Sequence, residues 1–161
     1  MYWCMATRAA ASTVIGWREW IRLSDLHDQP IKVKVDTGAR TSALHARGLR
    51  ITDLAGIEVA SFDLLPRQRS GRGSRTVSLP VQGYRTVKSS NGRTERRPVV
   101  RTTAELAGST WEIELTLTSR DEMGFRMLLG RSAVRRRFLV DAGSSYLHGD
   151  PASTPTEEVQ P

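Results

Sequence analysis

The run Ile31-Lys32-Val33-Lys34-Val35 alternates apolar and charged positions, the period of a strand with one buried face, and stops at Asp36-Thr37-Gly38. A carboxylate is therefore placed at the end of a strand. Gly38 lets the backbone fold tightly beside the acid, and the Thr37 hydroxyl is short enough to brace the turn. Similar patterning recurs along the chain. Trp17, Trp20, Ile21 and Leu23 supply a first strand, followed by turn residues Asp25, His27, Asp28 and Pro30. Leu44-His45-Ala46 and Leu49-Arg50-Ile51 read as a returning strand, and residues 57–65 alternate as another that Pro66 ends. Further strands are predicted over Val99 to Leu106, Trp111 to Leu117, Met127 to Leu129 and Phe138 to Val140. Gly130 introduces a short helix, and Asp141-Ala142-Gly143 reads as a turn. Ser89-Ser90-Asn91-Gly92-Arg93 carries Asn-Gly between extended runs, a strong hairpin signal. The pattern predicts an all-β chain with one short helix.

A length of 161 residues fits one domain whose core needs no disulfides. Cys4 is the single cysteine, which excludes an internal disulfide and a cysteine-rich metal site. No run approaches the roughly 18 apolar residues of a membrane span. The stretch from Arg8 to Ile15 makes a poor signal peptide, because its apolar part is short and broken by Ser12 and Thr13. The expectation is a cytoplasmic protein starting at Met1 or Met5. Residues 1–16 are expected to be a disordered lead, 17–148 the folded domain, and 149–161 a disordered tail with prolines and glutamates.

Charge changes the picture in the middle of the chain. Between residues 67 and 101, ten Lys or Arg (67, 69, 72, 75, 85, 88, 93, 96, 97, 101) stand against Glu95, more than the whole net charge of +7. Such a run is either a solvated face or a surface that meets something acidic, a peptide or a nucleic acid. Tyr84 is the single aromatic there, so base stacking is poorly provided for and nucleic acid is disfavoured.

Asp-Thr-Gly-Ala after an apolar strand resembles the catalytic turn of retropepsin-type aspartic proteases. Met127-Leu128-Leu129-Gly130-Arg131, with its following helix, resembles their second motif, where the Gly lets the strand pass close behind the turn. The strings KVDTGARTSALHA, VKSSNGRTE, RTTAEL, LTLTSRDEMGFRMLLGR and FLVDAGSSYL are similar to one bacterial group of retropepsin-like proteins, labelled ATP-dependent zinc proteases. The likeness runs from about Trp17 to Leu147. Members of that group are often encoded near ATP-grasp ligases that add glutamates to a ribosomal protein.

The resemblance implies a retropepsin-like closed β-barrel and a peptidase activity in which Asp36, Thr37 and Gly38 form the catalytic turn. Aspartic proteolysis needs two carboxylates sharing a proton around a water, and one Asp-Thr-Gly supplies half of the pair. The expected solution is a homodimer giving one Asp36 from each copy. A flap hairpin would fall at Ser89, Ser90, Asn91 and Arg93, making these candidate substrate clamps, with a purely structural hairpin as the alternative. Leu129, Gly130 and Arg131 are the corresponding candidates on the second motif.

Arg40 is not part of the general retropepsin pattern. It either biases the nearby acid toward its charged form or binds the carboxylates of a substrate. His45 is either a structural histidine or a contact to substrate or metal. Arg120 or Asp121 could brace the site through an ion pair, while Arg135-Arg136-Arg137 reads as solvated. Despite the group's label, no His-Glu-x-x-His cluster and no Walker-type loop is present, so neither metal nor nucleotide cofactor is expected. The expected substrate is an acidic peptide, such as a glutamate-extended protein tail, with a functional link to a glutamate ligase. The alternatives are an inactive protease-like module that binds peptides without cutting them, and a basic ribosome- or nucleic-acid-associated protein.

Overall fold

The computed structural model describes residues 12–67, 71–89, 91–119 and 124–149. It is built from eleven strands and one helical turn: β1 (Thr13–Leu23), β2 (Ile31–Asp36), β3 (Ser42–His45), β4 (Arg47–Leu54), β5 (Ile57–Leu64), β6 (Arg75–Pro80), β7 (Gly83–Lys88), β8 (Thr94–Leu106), β9 (Ser109–Thr118), β10 (Met127–Gly130), α1 (Arg131–Val134) and β11 (Phe138–Ser145). The expectation of an all-β fold with one short helix holds. The main sheet runs β11-β1-β2-β10-β3-β9-β8-β7, and β1 also pairs with β8 through Arg22 with Glu105 and Leu23 with Ala104. Strands β1, β2, β10, β3, β9 and β8 thus close into a hydrogen-bonded ring. Closure removes the free edges of these six strands where they pair around the ring, as barrel closure does.

The alternation of β2 is realised as read: Ile31, Val33 and Val35 are buried while Lys34 is exposed. Those three pack with Leu44, Leu115, Met127 and Leu129 inside the ring. Burial of apolar side chains at this density is the main stabilising term, about 2 kcal/mol for each fully buried aliphatic side chain. A separate three-stranded sheet, β4-β5-β6, fills the stretch between the Asp36 turn and the hairpin. One of its faces joins the core through Ala60, Phe62, Leu64 and Val77. Among the described residues no helix is long and apolar enough to cross a membrane.

Two boundaries differ from the reading of the sequence. β1 begins at Thr13, ahead of the expected boundary at Trp17, because Thr13 to Gly16 pair in parallel with Phe138 to Asp141 and bury Ile15 completely. Asp141-Ala142-Gly143 is not a turn. β11 continues to Ser145 through an irregularity in which Asp141 accepts the Gly143 amide at 2.9 Å and the Ser144 hydroxyl at 2.6 Å. Residues 1–11 and 150–161, which include most of the expected lead and tail, lie outside the described residues, as do Arg120 and Asp121.

Candidate active site

β2 delivers Asp36 to the mouth of the ring, where β10 lies beside it in parallel register, Gly130 opposite Asp36. The turn that follows is held by the acid itself. Asp36 Oδ1 accepts the amides of Gly38 at 3.0 Å and Ala39 at 3.2 Å, so the carboxylate and its loop fix one another. The other oxygen, Oδ2, has no hydrogen-bond partner among the described residues. Asp36 is half-buried, while Thr37, Gly38 and Arg40 are exposed.

The second motif braces this loop from behind. The Arg131 amide donates to the Ala39 carbonyl at 2.8 Å, and its guanidinium donates to the Thr37 carbonyl at 3.0 Å. The Ser132 amide and hydroxyl both donate to the Arg40 carbonyl, at 3.1 Å and 2.7 Å. Gly130 runs against the backbone of Thr41 and Ser42: a Cβ there would meet the Thr41 carbonyl oxygen at 2.6 Å. Its amide donates to the Ser42 hydroxyl at 3.0 Å, and the Ser42 carbonyl accepts the Thr116 hydroxyl at 3.0 Å. Ser42 is buried, so this polar chain is internal and fully paired. Its role was not read from the sequence, where a serine in a small polar run carries no such signal.

Between the Asp36 turn and the β7–β8 hairpin lies a cleft of about 560 Å³. One wall is Gly38 to Thr41; the other is Arg85 to Lys88 of β7 with Arg97 of β8; Ala43, Thr116 and Leu128 complete it. Four cations, Arg40, Arg85, Lys88 and Arg97, thus border the space next to the turn that follows Asp36. Arg85 is ion-paired with Glu114, and Arg97 with Glu95 at 2.9 Å. Arg40 and Lys88 have no acidic partner among the described residues.

The family model described as RimB-like, retropepsin-like aspartic endopeptidase RimB, matches residues 14–151. The chain belongs to the RimB-like family. Proteins named "Probable alpha-L-glutamate ligase" from Shewanella pealeana and Desulfotalea psychrophila are each 41% identical to it, over 91% and 81% of this chain. This RimB-like chain spans about a third of their length, 32% and 28% respectively. A Legionella pneumophila crystal structure of a protein of unknown function aligns with TM-score 0.69 at 26% identity, covering 84% of this chain and 97% of that one.

Several of the residues singled out from the sequence come together in this RimB-like site, and others do not. Asp36, Thr37, Gly38 and Arg40 lie on one loop with Gly130 and Arg131 behind it. Arg131 grips the loop rather than facing the cleft. The hairpin forms as expected, and the side chains of Ser89 and Asn91 are engaged at its tip: Ser89 bonds to the Asn91 side chain and, at 2.9 Å, to the Arg93 carbonyl, while Arg93 contributes its backbone and keeps its side chain exposed. Ser90 lies outside the described residues. The cleft is lined instead by Arg85, Thr86, Val87 and Lys88, one strand earlier.

Leu129 is fully buried in the core, and Leu128, its neighbour on the opposite face of the strand, borders the cleft. His45 is 2% exposed at the end of β3 away from the acid, where its amide donates to Arg126 at 2.8 Å while Gly130 lies at the other end of β10. It does not reach Asp36 or the cleft. Among the described residues the zinc of the group label finds no donor set. His27 bonds to the Gly73 carbonyl, His148 to the Val14 carbonyl, and the described residues contain no cluster of three or more His, Cys, Asp or Glu.

Proposed function

We propose that this chain is an aspartic endopeptidase acting on acidic, glutamate-rich protein tails, with the catalytic dyad made by Asp36 of two copies. The observation that carries the reading is the Asp36 turn: the acid is held through one oxygen at the end of β2, and the residues that follow it, Gly38 to Thr41, form one wall of a cleft bordered by four cations. One carboxylate takes a proton from a water between the two acids. The water oxygen attacks the peptide carbonyl carbon while the second, protonated acid donates to the carbonyl oxygen. The tetrahedral intermediate then collapses, the C–N bond breaks, and the proton returns to the leaving amine. Close apposition of two carboxylates is what keeps one of them protonated. The exposed Thr37-Gly38 edge supports a second copy covering it, as two-fold assembly requires.

A second reading is favoured by the relatives named as glutamate ligases, in which the matching region is about a third of the chain. In that reading the same cleft holds an acidic tail without cutting it. The experiment is cleavage of a glutamate-tailed peptide by wild type and Asp36→Asn, read by mass spectrometry, with molecular mass measured on the same samples. Asparagine keeps the Oδ1 acceptor for Gly38 and Ala39, so the loop is expected to survive while turnover falls by roughly 10³-fold or more. Turnover unchanged in the variant, or an active strict monomer, refutes the dyad; binding without new termini in either protein selects the binding module.

A further inference from the structure

The last arginine of the run Arg135-Arg136-Arg137 is not simply solvated. Its guanidinium lies over the Trp111 ring, 5.4 Å from the centroid. Both residues line a second cavity of about 260 Å³, bounded by β9, α1 and the segment after the Asp36 turn. This cavity and the hairpin cleft share Arg40, Thr41 and Arg85. A ligand extending from one to the other therefore passes Arg40.

The charges in the second cavity do not balance. Its two acids, Glu112 and Glu114, are already engaged by Arg101 at 3.6 Å and 3.4 Å, and Glu114 is engaged by Arg85 as well. Arg40 and Arg137 have no acidic partner among the described residues. The Trp111 ring forms the floor on which the Arg137 guanidinium rests. Two guanidinium groups without an acidic partner at one cavity define a site for an anionic acceptor, and stacking on the indole holds Arg137 ready for it.

We infer that this cavity is a second carboxylate subsite, in which Arg137 and Arg40 hold one acidic group of a ligand whose neighbouring residues occupy the hairpin cleft. That group is a glutamate or aspartate side chain, or a free terminal carboxylate. The inference rests on the acidic-ligand part of the proposed function and not on cleavage.

The test is calorimetric binding of tetraglutamate to the full chain carrying Asp36→Asn, alone and combined with Arg137→Gln or Arg135→Gln. Arg137 is exposed but lies over the buried Trp111 ring, so the Tm of Arg137→Gln is measured alongside to separate lost packing from lost binding, and Arg135→Gln removes the same charge outside the cavity. Arg137→Gln is expected to weaken binding about tenfold, and Arg135→Gln less than about twofold. The Arg137 effect should vanish for the C-terminal amide if the terminal carboxylate is read, or for peptides with one Glu replaced by Gln if a side chain is read. Equal losses in the two arginine variants, or none, overturn the subsite. If no acidic peptide binds the chain with Arg137 intact, the acidic-ligand reading falls and this inference with it. Arg137-dependent binding without cleavage by wild type removes the peptidase reading alone.

Discussion

Gly130 and Thr41 meet backbone to backbone: a Cβ on Gly130 would lie 2.6 Å from the Thr41 carbonyl oxygen and 2.9 Å from the Ser42 amide nitrogen. Neither contact can be relieved by rotating a side chain. Gly130→Ala is therefore expected to cost about 2–3 kcal/mol and to push the Asp36 loop out of register with β10. Thermal denaturation and peptide turnover check it, and an unaltered Tm would show that the two strands separate more readily than their packing implies.

Adjacent leucines on β10 should behave differently. Leu129→Ala empties a fully buried site and is expected to destabilise the fold by about 2–4 kcal/mol. Leu128→Ala trims the cleft wall and is expected to leave most of the stability while weakening peptide binding. Denaturant midpoints set against KM values distinguish the pair; equal effects on both quantities would contradict the assignment of faces.

Lys88 is exposed on the cleft wall and has no acidic partner among the described residues. Lys88→Glu is expected to raise KM for a glutamate-rich peptide severalfold with little change in Tm, and added salt should weaken wild-type binding more than that of the variant. A KM that ignores both the charge reversal and the salt would separate the cleft from substrate recognition.

Acid should loosen the ring at a defined point. Asp25 accepts the Thr103 amide at 2.7 Å, tying the β1–β2 connection to β8 beside the place where the ring closes. Chiefly this backbone hydrogen bond, then the Thr103 side chain, holds its carboxyl below the ordinary range, against a smaller raising effect of desolvation and with a further contribution from Thr102. With the folded value depressed, the charged form stabilises the fold fully above the unfolded value, and that stability disappears as pH falls through the folded value. Wild type should therefore melt above Asp25→Asn at neutral pH, with the gap closing below about pH 4. A gap that persists in acid would assign the difference to geometry rather than charge.

The Asp36 turn, the alternation of β2 and the hairpin were legible in the sequence because each depends on local chemistry: a short acid with a glycine, a period of two, an Asn-Gly pair. The close approach at Gly130 came only from the family resemblance, since it depends on Thr41 and Ser42 far away in the chain. The cleft lining was not. Period-two patterning gives two faces to a strand but does not rank them when both are apolar, as at Leu128 and Leu129. His45 belongs to the same problem: its nearness to Asp36 in the chain says nothing of its direction, and β3 carries it away from the acid. The early start of β1 and the continuation of β11 past Asp141 follow from parallel pairing between residues more than a hundred positions apart, which no local window contains.

The carbonyls of Thr37 and Arg40 are gripped by side chains 94 and 92 residues further along the chain. During synthesis the acid therefore emerges long before the groups that aim it. A growing chain carries Asp36 on an unbraced loop until the segment around Arg131 and Ser132 has left the ribosome, and such long-range closures form late in folding. Order along the chain thus becomes order of assembly: the Asp36 loop takes its final shape only after β10 and α1 exist to hold it.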